Sequence, residues 1–303
     1  MFRLAHLSDP HVGPLPRPQL RQLMSKRLTG WINWQRSRRE AHDMALLATL
    51  VADLRAQHPT HIACTGDTCN IGLPSEWATS RVFLEGLGDP EHVSFVPGNH
   101  DAYVPGALEG LLREVGPWTR SDDGSERVFP FLRRYGSIAL IGLSSAIPTM
   151  PFIASGRIGR QQMMAAEHLL RDLGEDESCF RIVLIHHPPH VGGTSAGRNL
   201  KDARAFEAMI ARVGAELVLH GHNHVGSVAH LPGPRGLMPV VGAPSASAGS
   251  GTATHRAGYH LFEINQTEAG FTIRAERRGL KPDGSFGSLG LLSLTPHTLA
   301  EDS

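Results

Sequence analysis

An α/β fold is predicted for this chain by three observations. Short apolar runs alternate with longer stretches whose apolar residues recur at helical spacing. After residue 219 the helical stretches give out and the chain becomes β-rich. Carboxylate, amide and imidazole side chains stand just past the ends of the apolar runs, the edge at which open α/β sheets carry their sites. Together they predict at least one substantial sheet with helices packed on it.

Residues 2–8 read as the first strand. Residues 41–57 follow as a helix, with Met44, Leu47, Val51 and Leu54 on one face. A strand at 61–65 around Ile62 and Ala63 leads to a helix at 75–87, for which Ser75 is the expected N-cap. The next strands are 92–96 and the continuous apolar run 137–143. Residues 160–173 form a helix with Met163, Ala166, Leu170 and Leu173 on one face and Gly174 as its stop. A strand at 181–185, a helix at 202–213 and a strand at 216–219 complete the alternation. Strands at 228–231, 237–241, 259–264 and 271–275 end the pattern.

Two segments fall outside it. Residues 12–39 form an insertion carrying Arg17, Arg21, Lys26, Arg27, Arg36, Arg38 and Arg39 and no acidic residue. Residues 279–303 form a tail rich in Gly and Pro, expected to be irregular, so the domain is placed at 1–278.

Composition narrows the function classes. Lys plus Arg and Asp plus Glu both number 29, giving net charge +0, which excludes a chain-wide electrostatic footprint for nucleic acid. Cys64, Cys69 and Cys179 are too few for a disulfide framework and contain no Cys-x-x-Cys pair, as in a reducing compartment. The start of the chain has no signal-peptide pattern, and no apolar run approaches the roughly 18 residues of a membrane span. A cytoplasmic protein is expected.

The chemistry is concentrated in five blocks. Asp9 and His11 follow the first strand, Asp67 the second, and Asn99, His100 and Asp101 the third. His186 and His187 follow residue 185, and His222 and His224 follow residue 219. Carboxylates, an amide oxygen and imidazoles suit Mn, Fe, Zn or related divalent ions rather than a calcium cage or a thiolate site. Asp9, His11, Asp67, Asn99, His186, His222 and His224 exceed what one tetrahedral zinc needs. They suffice for two divalent metal ions sharing a carboxylate. His42, His58, His61, His92, His168, His230, His260 and His297 are read as ordinary structural histidines, and Asp43 and Asp53 as solvated helix charges. Cys64 is read as a small buried apolar residue.

Asp-x-His, Gly-Asp, Gly-Asn-His-Asp, a strand-terminal His and Gly-His-x-His, in that order over about residues 1–265, resemble the blocks of calcineurin-like metallophosphoesterases. The resemblance implies a four-layer αββα sandwich, two central mixed sheets flanked by helices, with a dinuclear site at the strand ends. It implies one metal on Asp9, His11, Asp67 and His224, and a second on Asp67, Asn99, His186 and His222. His187 would then be structural. His100 resembles the family's catalytic histidine, which contacts substrate and protonates the leaving alkoxide, and Asp101 is expected to orient it by a hydrogen bond. Two-metal chemistry lowers the pKa of bound water from about 16 to about 7, and the resulting bridging hydroxide is expected to attack phosphorus in line.

Asp101 follows His100 where the family's protein Ser/Thr phosphatases carry Glu. His100 stands where its UDP-diacylglucosamine hydrolases carry Arg. The His-His-Pro-Pro block and the Gly-Asp-Thr-Cys-Asn-Ile-Gly run are more similar to bacterial cyclic-nucleotide and glycerophosphodiester phosphodiesterases, in which Asn70 has a counterpart. The expected function is phosphodiester hydrolysis. A membrane-associated lipid phosphoester or pyrophosphate is the alternative substrate. A non-catalytic scaffold on the same fold would have lost ligands, and none is lost. The insertion is read as a helical arm or pocket lid, with Leu20, Leu23, Met24 and Leu28 packing on the core. Trp31, Ile32 and Trp34 beside its cations also resemble an interfacial segment for anionic headgroups, which would place the protein at the inner membrane face.

Overall fold

The computed structural model describes residues 1–122, 124, 128–176, 178–249 and 255–295. Two mixed six-stranded sheets form its centre. In the first, β1 (Phe2–Leu7), β2 (His61–Cys64) and β3 (Val93–Phe95) run parallel. β10 (Gly258–Thr267), β11 (Gly270–Leu280) and β12 (Phe286–Leu291) extend it antiparallel from β1, in the order β12-β11-β10-β1-β2-β3. In the second, β5 (Ile138–Gly142), β6 (Phe180–Leu184), β7 (Leu217–His220) and β9 (Gly236–Gly242) are parallel. β4 (Phe131–Tyr135) and β8 (Ser227–Gly233) close its two edges antiparallel.

The alternation of side chains along each strand explains the layers. Leu4, Ile182, Leu184, Leu217 and Leu219 point between the sheets, where they meet Phe131, Phe180 and Phe262. Their neighbours Ala5, Leu7, Val183 and Val218 point outward and need a helical cover. α4 (Met44–Ala56), α5 (Pro74–Leu87) and α6 (Ala107–Val115) cover the first sheet with Leu50, Leu54, Leu84 and Leu111. α7 (Arg160–Gly174) and α8 (Ala203–Val213) cover the second with Leu170, Phe206 and Met209. The expected αββα sandwich is the one observed.

Several elements differ from expectation. Proline at the first turn starts α5 at Pro74, so Ser75 is not its N-cap. The capping duty falls to buried Glu76, whose carboxylate accepts from the amides of Asn70, Ile71 and Leu73. Residues 286–291, expected to be irregular, form β12, and most of its residues are exposed, so it carries little apolar pattern to read. β4 and α6 were not expected at all.

The insertion folds as short pieces: α1 (Leu20–Leu23), α2 (Arg27–Asn33), a π-helical turn at Trp34–Arg38 and α3 (Arg39–Ala41). Leu20 and Met24 do not pack on the core; they are 86% and 87% exposed. Trp31 and Trp34 dock the segment instead, against Leu15, Ile71, Leu73, Tyr103 and Val104.

Asp53 is likewise not a solvated charge. It accepts from Arg278 Nε and Nη2, both at 2.8 Å, and from the Tyr259 hydroxyl at 2.6 Å, tying α4 to β10 and β11. Burial pushes its carboxyl up, but the Arg278 and Tyr259 bonds outweigh that and hold it below the ordinary carboxylate value. A depressed folded-state pKa gives stability that is present above the unfolded value of about 3.9 and lost as pH falls through the folded one. Asp53→Asn is expected to cost about 1–3 kcal/mol at neutral pH, measured by urea unfolding. The gap to the parent protein should close in acid; a gap of equal size at pH 7 and in acid would contradict this role.

Candidate metal centre

The five parallel strands that matter end at one edge of the sandwich. Asp9 and His11 follow β1, Asp67 follows β2, Asn99 and His100 follow β3, His186 follows β6, and His222 and His224 follow β7. Both sheets therefore contribute to one cluster. The turns that aim these side chains are sharp. Asp9, His11, Asp67, His222 and His224 all have left-handed backbone, with φ between 40° and 71°. Non-glycine residues reach that region at a cost of about 1–3 kcal/mol each and are held there only by their surroundings. Glycine is required nearby for a different reason: a Cβ on Gly98 would strike the Asp67 carboxylate and the His186 ring.

All of the expected ligands come together, and their donor chemistry can be read from hydrogen bonds. A backbone carbonyl only accepts, so His186 Nδ1, 2.6 Å from the Thr65 carbonyl, carries a proton. Nε2 is then the nitrogen that would offer a lone pair to a metal, and it lies 3.3 Å from Asn99 Oδ1 and from His222 Nδ1 and 3.4 Å from Asp67 Oδ2. His11 repeats the pattern. Its Nδ1 donates to the Cys69 carbonyl at 3.2 Å, leaving Nε2 to face His224 Nε2 at 3.3 Å and Asp67 Oδ2 at 3.9 Å. Asp9 Oδ1 lies 3.2 Å from His224 Nε2 and is buried with no hydrogen bond.

Converging acceptors repel unless a cation lies among them. The ligand atoms of Asp9, His11 and His224 lie within 4.8 Å of one another, as do those of Asp9, Asp67 and His186. The residues thus fit divalent metal ions, with Asp67 Oδ2 between the two imidazole groups. Burial opposes the charged form of Asp67, but His186, His100 and His11 hold its carboxyl well below the ordinary value. It is an anion, the form in which a carboxylate would hold a metal ion.

His187 is not free to join the ligands. Its Nε2 donates to the Ala154 carbonyl at 3.1 Å and its Nδ1 accepts from the Ser145 hydroxyl at 2.7 Å. Burial and the neighbouring His186 push it down to about 3, so it stays neutral. Cys64 and Cys69 are buried thiols. Burial pushes both up, which disfavours the thiolate.

One expectation is overturned. Asp101 does not orient His100. Its Oδ2 accepts from the amides of Asp67 and Gly98, and its Oδ1 from the Cys69 amide and the Thr68 hydroxyl, at 2.8–2.9 Å. Asp101 pins the two ligand loops together. His100 is held by Asn70, whose carbonyl accepts from Nδ1 at 2.5 Å. Its ring stacks on Tyr103, with centroids 5.4 Å apart. Because Nδ1 donates to a carbonyl, any acid–base chemistry at His100 would fall to Nε2. The Asn70 side chain donates to the Val12 carbonyl at 3.0 Å, fixing the start of the insertion.

Sequence reasoning missed two neighbours of the site, Arg198 and His42, and named Lys26 only as one cation of an insertion read as a helical arm or pocket lid. Arg198 donates to the His222 carbonyl at 3.1 Å and lines the depression above Asp67, Asn99, His100 and His224. His42, read as structural, packs its ring 4.5 Å from that of His11. Lys26 of the insertion reaches a cleft of about 500 Å³ lined by Trp34, Asn99, His100, Tyr103 and Phe152. No pattern in the sequence marks Arg198 or His42, because only the fold brings their segments to the site. His297 lies outside the described residues.

Comparison with known proteins places this geometry. A family model described as calcineurin-like phosphoesterase matches residues 2–226. The chain is 28% identical over 244 residues to a Synechococcus sp. protein named "probable cyclic nucleotide phosphodiesterase", covering 80% of each chain. Its fold is similar to that of a dimetal phosphatase from Danio rerio, with a TM-score of 0.62 and 13% identity over 97% of this chain and 98% of that one. It is also similar to a purple acid phosphatase from yellow lupin (Lupinus luteus) seeds, with a TM-score of 0.59 and 13% identity over 95% of this chain and 52% of that one.

Proposed function

Because the chain belongs to the calcineurin-like phosphoesterase family, we propose that it hydrolyses a phosphodiester at a dinuclear metal centre. Asp9, His11, Asp67 and His224 hold one ion in this reading, and Asp67, Asn99, His186 and His222 the other. The observation that carries it is the set of buried acceptors facing one another around Asp67 Oδ2. The name of the 28% identical relative favours a diester over a monoester. The mixed carboxylate, amide and imidazole set suits Mn, Fe or Zn.

When bound, two divalent ions make hydroxide available at neutral pH and neutralise charge on the phosphoryl oxygens. The remaining work belongs to the chain. Asn99 and Arg198 direct a carboxamide and a guanidinium at the phosphoryl oxygens as charge develops. His100, anchored through Nδ1, delivers a proton from Nε2 to the leaving oxygen. Asp101 keeps the Asp67 and Asn99 loops in register. The leaving group occupies the cleft under the insertion, between Trp34, Tyr103 and Phe152. Those apolar walls also suit the lipid part of a membrane-associated phosphoester, the second reading.

Among the described residues no helix is long and apolar enough to cross a membrane. The cysteines are free and buried, which fits a reducing compartment, and on the cysteines we propose the cytoplasm.

Purified protein supplied with Mn is expected to hydrolyse bis(p-nitrophenyl) phosphate. EDTA should lower the rate by about a hundredfold or more, and added Mn should restore it. Undiminished turnover by metal-free protein would sink the proposal. A panel of cyclic nucleotides, glycerophosphodiesters and lipid phosphoesters then ranks the substrates by kcat/KM.

A further inference from the structure

Large apolar side chains fully offered to water are few among the described residues. Among the described residues, those at least three-quarters exposed are Met1, Leu20, Met24, Met150 and Phe152. All but Met1 come from two segments, the insertion and the loop at 149–153. Lys26 ties these segments together: its Nζ donates to Thr149 Oγ1 at 2.7 Å and to the Ile153 carbonyl at 2.9 Å, and lies 4.6 Å from the Tyr103 ring centre. Exposed apolar residues scattered singly need no explanation, but a group gathered on two joined segments does. Phe152 adds a second anomaly. It is 91% exposed and has left-handed backbone, φ 64°, which a bulky residue rarely adopts and which clusters at functional positions.

The charges carried by the insertion have one sign. Arg17, Arg21, Arg36 and Arg39 are exposed. Residues 12–39 contain no carboxylate. Apolar tips within a cationic surround match a bilayer whose headgroups are anionic and whose acyl region lies just beneath. The same segments roof the reaction cleft: Ile32, Trp34, Arg36 and Phe152 line it with Asn99 and His100.

We propose that the insertion and the 149–153 loop are a docking face for an anionic lipid surface, with Leu20, Met24, Met150 and Phe152 entering the headgroup–acyl boundary. The cleft then opens at the membrane, within reach of the phosphoester of an amphiphile.

The test is co-sedimentation of the full chain with vesicles of phosphatidylcholine alone or with about one-third phosphatidylglycerol. Pelleting is expected with the anionic vesicles only, weakened by salt. Each exposed arginine contributes roughly fivefold in partition at low ionic strength. The triple variant Leu20→Ser, Met24→Ser, Met150→Ser should lose about tenfold or more of the partition. None of these three side chains lines the cleft, so turnover of a soluble aryl phosphodiester should be unchanged and reports that the variant is folded. Met24→Trp gives a second readout, an indole emission that shifts to the blue when anionic vesicles are added. Absence of pelleting, pelleting of the triple variant equal to the parent, or an unshifted indole each overturns the proposal. Self-association that the triple variant abolishes, without pelleting, overturns it in favour of a protein partner. Vesicle binding is read without turnover, so its failure leaves the hydrolase reading intact.

Discussion

Asp67→Ala is expected to lower phosphodiester turnover about a thousandfold or more and to release bound metal. The Asp67 carboxylate has no substitute in the cluster. Its Oδ2 faces both His11 and His186, and its Oδ1 accepts from the His100 amide at 2.7 Å. Removing it takes away one of the two buried carboxylates, the other being Asp9, that would balance the charge of bound metal. Each ion supplies several kcal/mol of charge stabilisation to the transition state, and each 1.36 kcal/mol of that is about tenfold in rate. Metal analysis of the purified variant separates this from a folding defect when combined with circular dichroism. A folded variant that retains the parent's metal content would remove Asp67 from its shared role.

His100→Ala should behave in the opposite way, keeping metal while losing rate. General acid catalysis contributes about 10²–10⁴-fold, and the size of the loss depends on the leaving group. A nitrophenolate leaves without a proton, so bis(p-nitrophenyl) phosphate should lose little. A diester with an alkyl alcohol leaving group needs the proton and should lose the full factor. The ratio of the two losses is the measurement. Equal losses on both substrates would make His100 a binding residue instead of an acid. The geometry favours the acid: Nδ1 is committed to the Asn70 carbonyl and the ring is steadied on Tyr103.

The fold and the centre of the site were legible for one physical reason. A parallel strand buried on both faces is a short apolar run, and the residue after it must turn sharply. Asp9, Asp67, His186 and His222 each stand at such a break, so the sequence order of polar residues reports their position in space. Asp101 shows where this legibility ends. It stands beside His100 in sequence, but its partners are amides from Asp67, Cys69 and Gly98, gathered by two different strands. Adjacency along the chain says nothing of that. Asp53 was misread for a related reason: its partners Tyr259 and Arg278 are more than two hundred residues away. In the insertion, spacing of Leu20, Met24 and Leu28 suggested a buried stripe, while the tryptophans took the contact and left those tips in water.

The left-handed turns at Asp9, His11, Asp67, His222 and His224 bear on which metals the protein carries. Ligands set by backbone geometry regroup little around an incoming ion. Raw affinity of nitrogen and oxygen donors rises along the general order of divalent metals and so does not by itself choose the weaker binders Mn and Fe. Supply then weighs on which ion is loaded. Protein from manganese-rich, iron-rich or zinc-rich cultures should emerge with different metal pairs in the same cage, and its composition on purification would document the growth medium as much as the enzyme.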